Sequence, residues 1–257
     1  MIFTYGAIML ISIIIGFINT LVGSGSLVML PLLIAMGLPA NIANGTNRVA
    51  VFFQSLVGAY SFWQKKKIPL GRAAWSIVPC VFGAILGAYI ATQISPKALN
   101  DFIGILLIVM LGLILVRPNR WMRKENANGE HSKRPLAIFI MFLIGIYGGF
   151  IQAGVGIFLL AGLVLGVHYS LPYANAIKLI IVAFYAFPVL LVFVWQNQVD
   201  WFYGIFTALG QGLGAFLGAR FMVYYPNAEV WIYRLLVIIV LGAIIHFYEL
   251  WRYLGLF

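Results

Sequence analysis

The first charged residue of this chain is Arg48; every residue before it is uncharged. A fold surrounded by water has to cover its surface with polar and charged groups. A stretch like this one has no means of doing so. The rest of the chain continues the pattern. Of 257 residues, 63% are hydrophobic and 9% charged, where a soluble domain carries about 25% charged residues. A bilayer removes the conflict, because lipid is then the solvent for the outer face. We therefore read an all-α integral membrane protein, with about eight hydrophobic segments at residues 3–36, 42–63, 70–92, 98–116, 136–166, 171–195, 201–222 and 229–250. Trp63, Trp75, Trp195, Trp201, Trp231 and Trp251 fall near segment ends, where interfacial aromatic belts form. The N-terminal stretch has no positive leader region, so it reads as a retained membrane segment rather than a cleaved signal.

Two segments exceed the membrane. Residues 3–36 and 136–166 would run roughly 50 Å and 45 Å as single helices, against a hydrocarbon core of about 30 Å. Small residues interrupt each one: Gly23-Ser24-Gly25-Ser26 in the first, and Gly148-Gly149 through Gly154 and Gly156 in the second. We expect two broken or re-entrant elements, each a helix, an unwound turn and a short second helix. Unwound backbone at that depth has to be buried in protein or line a wet cavity. The other reading is a pair of long tilted helices whose glycines serve close packing.

The chain also repeats itself. Gly16-Phe17-Ile18-Asn19 matches Gly149-Phe150-Ile151-Gln152, Gly23 matches Gly156, and Leu38-Pro39 matches Leu171-Pro172. A one-gap change of offset then aligns Ala43-Asn44 with Ala174-Asn175, and Gly83-Ala84-Ile85-Leu86-Gly87-Ala88 with Gly214-Ala215-Phe216-Leu217-Gly218-Ala219. The expected organisation is a first repeat at 1–116, a basic connector at 117–135 and a second repeat at 136–257. Cations concentrate in that connector and at Lys65-Lys66-Lys67, which marks both as cytoplasmic. The loop equivalent to the lysines, Gln196-Asn197-Gln198-Val199-Asp200, has no cation. Inverted repeats place it on the outer side, where its charge fits better; parallel repeats would place it inside.

Duplicated broken helices point to the binding site of a secondary transporter. Exposed helix ends leave unpaired N–H groups, and glycines let an anion approach them. The candidate substrate-binding groups at the breaks are Asn19, Gly23, Ser24, Gly25, Ser26, Gln152, Gly154 and Gly156. A second cluster comprises Asn44, Thr46, Asn47 and Arg48, with Asn175 and Lys178 in the other half. Arg48 and Lys178 lie at nearly equivalent repeat positions, about two turns into an apolar helix. Ionisable residues there are functional candidates, with snorkelling to the interface as the alternative. Gln54 and Tyr185, which align, are weaker candidates. The six acidic residues, Asp101, Glu125, Glu130, Asp200, Glu229 and Glu249, all fall in loops or near segment ends. That disfavours a cation pathway or a carboxylate proton relay. Cys80, the one cysteine, reads as a packed thiol. His246 reads as packed or interfacial.

The stretch GFINTLVGSGSLVMLPLLIAMGLPANIANGTNRVA resembles the first signature of the sulfite exporter TauE/SafE family, with its glycine-rich break, Gly-x-Pro turn and Gly45-Thr46-Asn47 element. GFIQAGVGIFLLAGLVLGVHYSLPYANAIKL resembles the degenerate second copy. The first break reads Gly-Ser-Gly-Ser where relatives often carry a run of glycines. The resemblance implies a bacterial inner-membrane permease, expected to export sulfite, organosulfonates or related small anions. An anion channel, or an uptake permease for another small oxoanion or carboxylate, is the nearest rival. We expect no enzyme: the Gly-x-Ser nucleophile motif and metal-protease motifs are missing, so a Ser24–His246 dyad has no support. We expect no metal, no cofactor and no nucleic-acid partner. A small anionic substrate and the lipid bilayer are the expected partners, with homo-oligomerisation open.

Overall fold

A computed structural model describes residues 2–65, 70–116, 134–166, 169, 171–224, 241 and 245. The expected segment 229–250 apart from Leu241 and Ile245, most of the basic connector, Lys66, Lys67, His168 and His246 lie outside the described residues. Among the described residues all regular structure is helical: α1 (Ile2–Leu21), α2 (Ser26–Ala35), α3 (Ala40–Lys65), α4 (Leu70–Gln93), α5 (Pro96–Val116), α6 (Arg134–Phe150), α7 (Val155–Ala161), α8 (Leu171–Trp195) and α9 (Trp201–Tyr224). A π-helical turn at Gly162–Gly166 extends α7. Within these helices Trp75–Gln93, Tyr173–Trp195 and Trp201–Met222 are long and apolar enough to cross a membrane. Helices suit lipid because every backbone group is paired within the segment. Leu10, Phe82, Leu209 and Trp195 all stand exposed on the outer surface.

Both overlong segments are broken. The first stops at Leu21 and restarts at Ser26; the second stops at Phe150 and restarts at Val155. Each turn carries one glycine in the left-handed region, Gly23 at φ 80° and Gly154 at φ 73°, where other residues are strained. Gly148 and Gly149, expected in the second break, instead lie in the last turn of α6. There Gly149 packs so closely on Ala84 that a side chain would meet the Ala84 backbone.

The helices pack across the midpoint of the chain. α1 lies against α9, α4 against α6, and α3 against α8, while α3 also packs on α9 and α4 on α8. The repeated Gly-Ala-x-Leu-Gly-Ala element explains the tightest contacts. Gly83 and Gly87 face Phe142 and Ile146 of α6, and Gly214 and Gly218 face Ile13 and Phe17 of α1. Small residues one turn apart allow such backbone contact between membrane helices. The largest apolar core gathers around α8, with Ile177, Ile181, Tyr185, Val189 and Phe193 all buried.

Candidate functional site

The two breaks meet. Gly156 donates its backbone N–H to the Gly23 carbonyl at 3.0 Å. A side chain at either glycine would strike the other's backbone. The crossing therefore requires glycine at both positions. It also uses one of the N–H groups expected to serve an anion.

Around the crossing, α3 and α8 reach over to the opposite half's broken helix. Arg48 is fully buried. Its Nη1 donates to the Gly148 carbonyl at 2.6 Å and to Gln152 Oε1 at 2.9 Å. Its Nη2 donates to the Gly149 carbonyl at 2.8 Å and to Asn44 Oδ1 at 3.2 Å. The guanidinium also lies 5.2 Å from the Phe193 ring centroid. Asn44 adds a bond from Nδ2 to the Phe150 carbonyl, 2.9 Å. These are the orphan carbonyls at the end of α6. On the other side, Lys178 Nζ donates to the Asn19 carbonyl at 3.2 Å and the Thr20 carbonyl at 3.1 Å. Asn175 Nδ2 donates to the same Thr20 carbonyl at 2.9 Å. Those carbonyls end α1.

Neither cation snorkels to an interface. Each instead faces the negative end of a helix dipole, equivalent to roughly half a charge. Among the described residues no carboxylate pairs with either one; Asp200 accepts from the Tyr203 N–H, 3.0 Å. A half charge cannot cancel a whole one, so the crossing keeps a positive field.

The remaining candidates separate into three groups. Asn19, Gly25, Ser26 and Asn47 stabilise the first break: Gly25 N–H donates to Asn19 Oδ1 at 3.1 Å, and Asn47 Nδ2 to Ser26 Oγ at 3.0 Å. Ser24 is buried there with its hydroxyl unpaired, as are Asn47 Oδ1, Asn175 Oδ1 and Arg48 Nε. Gln152 and Gly154 belong to the second break, where Gln152 Nε2 donates to the Tyr185 hydroxyl at 2.9 Å. Thr46 stands apart: its hydroxyl accepts the Asp200 N–H at 2.9 Å, in the α8–α9 connection. Helical spacing places Thr46 on the face of α3 away from Arg48. Sequence reasoning missed Tyr147, whose hydroxyl donates to the Ala153 carbonyl at 2.6 Å and closes the second break. It also missed the backbone carbonyls themselves, which have no side-chain signature.

Residues 8–247 match the Sulfite exporter TauE/SafE family. The chain belongs to this family. It is 26% identical over 219 residues to Probable membrane transporter protein YfcA of Escherichia coli strain K12, covering 85% of this chain and 80% of that one. It is likewise 26% identical over 206 residues to Probable membrane transporter protein ORF9 of Sinorhizobium sp, covering 80% and 78%. Against Probable membrane transporter protein YdhB of Bacillus subtilis strain 168 the identity is 25% over 225 residues, covering 85% and 89%. No solved structure gives a significant match. With its apolar helices and this membership, the chain is an integral membrane protein of a transporter family.

Proposed function

We propose that this protein is a secondary transporter that exports small sulfur-containing anions, such as sulfite or organosulfonates, across a bacterial inner membrane. One observation carries the reading: two fully buried cations flank the crossing of two broken helices, with no carboxylate against either among the described residues. An oxoanion leaving water has to regain hydrogen bonds and counter-charge. Unpaired groups at the crossing, the Ser24 hydroxyl and Arg48 Nε–H, supply donors in a positive field. The antiparallel packing of the equivalent helices α3 and α8, Gly45 against Phe193 and Gly58 against Leu179, supports two inverted repeats, 1–116 and 136–257, that rock about the crossing.

Liposomes holding the purified protein, offered sulfite, organosulfonates, sulfate and carboxylates, test this reading. Saturable flux confined to sulfur anions is expected. Saturable flux of carboxylates would point to another permease, and non-saturating conductance to a channel. Single cysteines at Lys66 and Gln198 should label from opposite faces of the membrane; labelling of both from the cytoplasm would refute inversion.

A further inference from the structure

Away from the crossing, three buried side chains on three helices carry unpaired polar atoms. Ser12 on α1 and Gln211 on α9 are 0% and 1% exposed, and Gln54 on α3 is 1% exposed. Ser12 Oγ, Gln54 Oε1 and both amide atoms of Gln211 have no hydrogen bond. A buried amide without partners forfeits its hydration with nothing in return, and native proteins rarely leave one so.

Close contacts bring these residues to one level. A side chain at Gly210 would meet Ser12 Cβ at 2.6 Å, and one at Gly16 would meet the Gln211 backbone. Farther along, Gly214 meets Phe17 and Gly218 meets Phe17 and Thr20, so α1 and α9 run in the same direction. Gly204 with Val49 and Gly212 with Val57 give α3 that direction too. Gly58 of α3 faces Thr20 Cγ2 at 3.6 Å. Gln54, one turn earlier on the same face, is then level with Gly16 and Gln211.

The equivalent place in the other repeat is closed. There Cys80 stands for Gln211 and donates to the Met141 carbonyl at 3.0 Å. Tyr185 stands for Gln54 and is bonded to Gln152, and Gly145 stands for Ser12. Of these two places, the one between α1, α3 and α9 leaves polar atoms unpaired among the described residues.

We infer that Ser12 and Gln211 line a second subsite for a small anion between α1, α3 and α9, held by the Ser12 hydroxyl and the Gln211 amide N–H groups, with Gln54 at the same level. Charge selects the anion over a cation. The ammonium of Lys178 rests on the Asn19 and Thr20 carbonyls, one turn beyond Gly16, and Arg48 lies under two turns before Gln54 on α3. The described carboxylates, Asp101 and Asp200, lie on α5 and just before α9; eleven residues separate Asp200 from Gln211, about 16 Å along a helix. A dehydrated cation would meet repulsion there. The occupant is either the transported anion or chloride. The inference rests on the anion-transport reading above.

Equilibrium binding of radiolabelled sulfite to the purified full-length protein decides it, in gluconate and in chloride buffer. Wild type should bind two anions per chain in gluconate and Gln211→Met one. A fall to one in chloride would name chloride as the usual occupant; two in both buffers would name the transported anion. Gln211→Met should fold, since it removes an unpaired amide at constant volume. Ser12→Ala, smaller still, should weaken the same site at least fivefold and stands in if Gln211→Met does not fold. One anion in wild type and one in both variants would overturn the subsite, leave transport at the crossing intact, and show the seam to hold water alone. One in wild type and none in Gln211→Met would keep the subsite and move substrate binding away from the crossing. No binding to wild type would end both.

Discussion

Arg48 makes four hydrogen bonds between 2.6 and 3.2 Å: two to the Gly148 and Gly149 carbonyls at the end of α6, one to Gln152 in the break and one to Asn44 on its own helix. Lys178 holds the end of α1 with two, at 3.1 and 3.2 Å. The two cations occupy nearly equivalent places in the repeated sequence, yet their bonding differs. Burying a cation costs several kcal/mol. Half a charge about 4 Å away returns roughly 2 kcal/mol at an effective dielectric near 20, and each charge-assisted bond returns about 1.5–3. Four bonds and a ring face close that balance for Arg48. Two bonds leave Lys178 near break-even. A planar fork reaches several carbonyls at once, whereas an ammonium is a compact point. The second break therefore meets the more fully bonded cation, and the first keeps an unpaired Ser24 hydroxyl.

Substitutions test that inequality. Arg48→Met should have the largest effect, about 4 kcal/mol of lost stability, because it removes the charge and strands several buried acceptors. Thermal unfolding of the purified protein in detergent would show it, and sulfite flux should vanish. Arg48→Lys should recover part of the stability, since charge returns without the fork; full recovery would mean that geometry counts for nothing here. Gly156→Val should cost about 3 kcal/mol, because its side chain would strike the Gly23 backbone. Unchanged unfolding would show that the breaks do not need to touch. Lys178→Met should cost least, about 1–2 kcal/mol, yet reduce sulfite flux at least tenfold by removing half of the positive field. Equal destabilisation by Lys178→Met and Arg48→Met would break the comparison between the two halves.

The sequence by itself determined what composition and short-range pattern control. Long continuous apolar stretches suit helices in lipid, where every backbone group pairs within the segment, and Gly23 and Gly154 sit where a helix has to stop, because left-handed backbone is cheap only for glycine. The pair Arg48 and Lys178 was legible because a cation deep in an apolar helix is costly enough to demand a reason. What the cations bind was not legible. Their partners are carbonyls of Gly148, Gly149, Asn19 and Thr20, and every residue carries a carbonyl, so sequence cannot mark one. Only tertiary packing brings α3 to the end of α6 and α8 to the end of α1. It likewise turns Thr46 toward Asp200 rather than toward Arg48. It also leaves the Gln211 amide unpaired where Cys80 finds a carbonyl. Local chemistry fixes where a helix breaks, while the partner of a buried polar group depends on which distant backbone is packed against it.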